Sequence, residues 1–84
     1  MSNLRPVDLL VVDDDDEIRK RSVQYFESKG YDTSSAANGN DALELAKQRV
    51  FHVAILDMSM PGMSGIELLE KLRQCKIQLI MYRL

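Results

Sequence analysis

Three aspartates carry the chemistry that this sequence can do. Asp13 and Asp14 directly follow the apolar run Leu9-Leu10-Val11-Val12, and Asp57 directly follows a second run, Val53-Ala54-Ile55-Leu56. Clustered carboxylates repel one another unless a cation offsets their charge. A hard divalent ion does this well: Mg2+ takes oxygen ligands, keeps several waters, and needs only one or two carboxylates with phosphate oxygens completing its shell. A plainer reading competes, because aspartates ahead of a helix often serve only to cap its free N–H groups. That reading fits Asp15 and Asp16. It fits Asp13 and Asp14 less well, since they continue an apolar run. It fits Asp57 least, because a Met-rich loop follows it and Ser64 is better placed to cap the next helix.

Elements must hold these acids in place. The two apolar runs read as strands covered on both faces, which places them side by side in the centre of a sheet. Between them, Glu17 to Lys29 reads as a helix with Ile18, Ser22, Tyr25 and Phe26 on one face, closed by Gly30. Tyr31 to Ala37 is a more polar strand, suited to a sheet edge. Asn38-Gly39-Asn40 signals a turn, and Asp41 to Gln48 a short helix with Ala42, Leu45 and Ala46 inward. After Asp57, the loop Met58–Met63 leads to a Ser64-x-x-Glu67 capping box and a helix to about Gln74, with Ile66, Leu69 and Leu72 inward. Ile77 to Met81 is a last strand. The order β-α-β-α-β-α-β implies an α/β fold with parallel strands and right-handed crossovers. In such open sheets ligands collect beyond the carboxyl ends of the strands, which is where Asp13, Asp14 and Asp57 stand.

Composition narrows the class. The 84 residues are 45% hydrophobic and 29% charged with net charge −2, which suits one small acidic globular domain over residues 1–84. That balance excludes a disordered chain and speaks against direct nucleic-acid or membrane binding. The single cysteine, Cys75, builds no disulfide framework within the chain, and a cytoplasmic setting is the expectation. His52 reads as a surface residue at the start of a strand. Met58, Met60 and Met63 read as loop packing, and Arg19 and Lys20 as a solvated helix face.

LLVVDDDDEIRK, AANGNDALELA and VAILDMSMPGMSGIELLEKLR together resemble the receiver domain of two-component response regulators, in that family's order and spacing from about Leu9 to Arg73. The resemblance implies a flavodoxin-like open parallel sheet of order 2-1-3-4. It implies a signalling module rather than an enzyme, with Asp57 as acceptor of a phosphoryl group from a histidine kinase or phosphotransfer protein. Asp13 and Asp14 match the acids that hold Mg2+ in the family, and Ser59 supplies the backbone carbonyl that completes the protein ligands together with Asp57. Pro61 and Gly65 match positions that shape the loop into the third helix. A carboxylate nucleophile forming an acyl phosphate suits these residues, and phosphoryl transfer asks the protein mainly for positioning and charge neutralisation. An aspartate-nucleophile phosphatase fits less well, because Ser59 rather than a general acid stands two residues past Asp57.

The resemblance also has departures. Aligned with the family, QLIMYR places Arg83 where a Ser or Thr is usual, and the fifth strand with its lysine and aromatic switch residue has no counterpart. The expectation is an incomplete, C-terminally truncated receiver lacking the fifth strand and last helices. Leu79-Ile80-Met81 would then form an open apolar edge, a template for pairing with another chain. A homo-oligomer through that edge is expected. A phosphorylation-incompetent interaction or dimerisation fragment is the alternative function.

Overall fold

A computed structural model describes residues 7–57, 65–74 and 78–82. The elements run β1 (Asp8–Val12), α1 (Asp16–Ser28), β2 (Asp32–Ala36), α2 (Gly39–Gln48), β3 (Val53–Asp57), α3 (Gly65–Arg73) and β4 (Gln78–Tyr82). The strands form one parallel sheet of order β2-β1-β3-β4. This is the flavodoxin-like arrangement expected from the sequence.

Strand parity divides the core. Leu10 and Val12 of β1, Ala54 and Leu56 of β3 and Ala36 of β2 are buried together with Ala42 of α2, Leu68 and Leu72 of α3, and Phe51. Leu9 and Val11, one residue out of phase, are also buried, on the side that α1 covers. Helix α1 lies over β1 and β2 and buries none of its residues fully, and Val53 and Ile55 of β3 are only half-buried.

Several boundaries differ from the sequence reading, each for a local reason. Asp15 caps α1, its side chain accepting from the backbone N–H of Glu17 and Ile18 at 3.0 Å each, so the helix starts at Asp16. Asn38 caps α2 by accepting from the Asp41 N–H at 2.8 Å, which turns the expected Asn38-Gly39-Asn40 turn into a cap and first helical turn. Gly30 stands at φ +94°, where a left-handed residue ends α1. The Tyr31 N–H donates to the Phe26 carbonyl and the Gly30 N–H to that of Glu27, while the Phe26 and Tyr31 rings meet edge to face at 5.8 Å. Those bonds tie Tyr31 to the helix end, so β2 begins at Asp32.

Two inward assignments are corrected. Tyr25 is 57% exposed; Ile18, Arg19, Ser22, Val23 and Phe26 are the half-buried residues of α1. Ile66 is 58% exposed, because the inward stripe of α3 contains Leu68 and Leu72, and a residue two positions from Leu68 lies more than half a turn away. Ile77, Ser64 and Cys75 lie outside the described residues, and β4 runs one residue later than expected, through Tyr82.

Candidate functional site

The register of the two central strands builds the site. Val12 pairs with Leu56, so the next residues, Asp13 and Asp57, leave neighbouring parallel strands at the same level. Adjacent strands lie about 4.8 Å apart. Asp57 is the last residue of β3 and pairs on its other side with Tyr82 of β4. Both acids thus stand at the carboxyl edge of the sheet, where a parallel sheet presents its ligand crevice.

Asp13 is 0% exposed, the one buried charged residue among those described. Its backbone is held from two sides: the Asp13 N–H donates to the Ala36 carbonyl of β2 at 3.2 Å, and the Asp13 carbonyl accepts from Arg19 Nη1 at 2.9 Å. Its carboxylate Oδ1 accepts from the Asp15 N–H at 2.9 Å. That bond links strand end to helix cap in one turn of chain. Asp14, between them, is exposed, as are Asp15 and Asp16.

Arg19 departs from its expected place on a solvated face. Its side chain is only 19% exposed, and it spans the acidic loop, with Nη2 on Asp16 Oδ1 at 2.6 Å as well as Nη1 on the Asp13 carbonyl. The signal was present in the run itself, because consecutive carboxylates need a nearby cation and Arg19 lies one helical turn past Asp15. Ser59, Pro61 and the methionines of the loop Met58–Met63 lie outside the described residues. So does Arg83.

The donor set fits Mg2+. It consists of carboxylate oxygens, which suit a hard ion over a softer one. Among the described residues no group of three or more His, Cys, Asp or Glu is arranged to hold a metal. Asp13, buried, and Asp14, exposed, are the first two of the four acids that follow β1, and Mg2+ requires no more than one or two carboxylates from a protein.

His52 is at the opposite end of the sheet. Its Nδ1 accepts from the Asp8 N–H at 2.9 Å and its own N–H donates to the Asp8 carbonyl at 2.8 Å, so it splices the start of β1 to the start of β3. Beside it Arg49 bonds Asp8 at 3.0 Å and Ser34 at 3.1 Å and approaches Asp32 at 3.5 Å. This end is structural, and it carries none of the three acids.

Comparison with known proteins decides the family. Residues 9–82 match the response regulator receiver domain. The chain belongs to that family. The transcriptional regulatory protein SrrA of Staphylococcus aureus is 38% identical over 69 residues, covering 82% of this chain and 29% of SrrA. The chain thus spans under a third of the curated relatives it matches. Among solved structures, the CheY-like receiver domain of Methanospirillum hungatei superposes with a TM-score of 0.90 at 32% identity, over 94% of this chain and 65% of the other. The Vibrio cholerae chemotaxis protein CheY4 gives 0.86 at 32%, over 92% and 68%. The Thermotoga maritima response regulator TrrA, solved in complex with Mg2+-BeF, gives 0.86 at 33%, over 92% and 69%. This receiver domain is therefore a two-component signalling module by family. Among its described residues no helix is long and apolar enough to cross a membrane.

Proposed function

We propose that this receiver domain accepts a phosphoryl group on Asp57 in a Mg2+-dependent reaction, with a histidine kinase or phosphotransfer protein as donor. The observation that carries the reading is the pairing of Val12 with Leu56, which levels Asp57 with the buried Asp13 at the carboxyl edge of the sheet. Asp13, Asp14 and Asp57 are the proposed metal-binding acids, and the Ser59 carbonyl is the proposed backbone ligand. The bound ion would neutralise charge on the transferring oxygens.

The chain's own residues do the rest. A carboxylate oxygen of Asp57 attacks phosphorus, forming the acyl phosphate. The bond from phosphorus to the donor's imidazole nitrogen breaks, and the imidazole leaves with that electron pair. Asp13, fixed at its N–H and its carbonyl, keeps its carboxylate in place while charge moves, so little reorganisation accompanies the step. The complex of TrrA with Mg2+-BeF, on a fold that superposes closely, supports the same chemistry here.

Residues 1–84 act as one receiver unit in this reading, because all four described strands join one sheet. The functional test is treatment with Mg2+ and acetyl phosphate or beryllofluoride. An adduct that maps to Asp57 and vanishes in Asp57→Asn supports the reading; metal uptake without any adduct contradicts it.

A further inference from the structure

We infer that Arg19 is a positioning residue for the metal-binding loop: its guanidinium locks the Asp13 peptide and so holds the carboxylates of Asp13 and Asp14 in place for a divalent cation. The inference rests on the Mg2+-dependent reading above and deepens it. Three bonds define the loop. The Asp13 N–H is tied to Ala36 of β2, Asp13 Oδ1 to the Asp15 N–H, and the Asp13 carbonyl to Arg19. Only the last comes from a side chain one helical turn further on, with the Arg19 N–H itself bonded to the Asp15 carbonyl at 2.9 Å. The loop is therefore clamped back onto the helix that follows it.

The clamp needs a fork. Arg19 reaches the Asp13 carbonyl with Nη1 at 2.9 Å and Asp16 with Nη2 at 2.6 Å. Two acceptors on separate residues are matched by the planar guanidinium, whereas a lysine ammonium is a compact charge on a flexible stem without that geometry. Partial burial of Arg19, at 19%, leaves the fork little freedom to wander. Arg21 provides the contrast on the same helix: it meets Glu17 at 3.8 Å, with both side chains about four-fifths exposed, and touches none of the loop bonds described.

Charge and position give opposite signs, which makes the inference decidable. A cation near a metal site repels the metal, so if Arg19 acted through charge alone, Arg19→Gln would tighten Mg2+ binding. If it acts by position, both Arg19→Gln and Arg19→Lys weaken it, by about tenfold, the lower end of what loss of a supporting hydrogen bond around metal ligands brings. The experiment is calorimetric titration with MgCl2 of the wild-type chain, Arg19→Lys, Arg19→Gln and Arg21→Gln, together with amide hydrogen exchange at Asp15. Arg19→Lys keeps charge and stem and guards against a variant that simply unfolds, and far-UV circular dichroism checks the helices. The expected result is weaker Mg2+ binding and faster Asp15 exchange in both Arg19 variants, with Arg21→Gln like wild type. Binding in Arg19→Gln as tight as wild type or tighter, or full rescue by Arg19→Lys, overturns the positioning role while leaving the functional reading standing. A wild-type chain that takes up no Mg2+ overturns both.

Discussion

Val12 and Leu56 are register partners across the parallel pairing of β1 and β3, and both are fully buried. Because side chains alternate along a strand, a shift of one residue in that pairing would turn Leu56 away from the core and separate the levels of Asp13 and Asp57. The site thus depends on apolar packing one residue beneath it.

Truncating that packing should be costly. Leu56→Ala removes a buried side chain that shares a core with Leu10, Leu68 and Leu72, and should destabilise the fold by about 3 kcal/mol. Ile66→Ala, at a position 58% exposed, should change stability by less than about 0.5 kcal/mol. Urea unfolding followed by circular dichroism separates the two. Equal effects would place the core wrongly.

The cap of α1 makes a second expectation. Asp15 satisfies two backbone N–H groups, so Asp15→Ala should lower stability by about 1 kcal/mol, and Asp15→Asn, an equally good cap, by much less. Thermal unfolding of both variants reads the difference. An alanine variant as stable as wild type would argue against the cap.

At the far end of the sheet, Arg49 links Asp8 and Asp32, the first residues of β1 and β2. Arg49 is 40% exposed, so Arg49→Gln should cost less than about 1 kcal/mol, and the difference should shrink as salt rises. Urea midpoints at low and high ionic strength measure this. A large, salt-independent loss would point instead to its stacking over Phe51, whose ring lies 5.1 Å below the guanidinium.

What the sequence made legible follows from how local each signal is. Leu9–Val12 and Val53–Leu56 announce central strands because both of their faces are apolar, and the acids that end them stand out against that background. Phe51 was not legible as core: it sits in a loop between exposed Val50 and exposed His52, and only the fold shows it buried in the cluster that includes Leu10 and Ala42. For Arg19 the acidic run showed the need for a nearby cation, met at Asp16, but its second bond goes to the Asp13 backbone carbonyl, which leaves no trace in residue type. Tyr25 and Ile66 satisfied the helical spacing but fell on faces that the sheet does not reach. The Asn38 cap resembled a turn because the same side-chain bond serves both.

The most direct test of the central claim is mass spectrometry of the chain after incubation with Mg2+ and acetyl phosphate, with peptide mapping of the product. One added phosphoryl group on Asp57, absent without Mg2+ and absent in Asp57→Asn, is the expected result. An unmodified Asp57 in a folded chain that binds Mg2+ would contradict it.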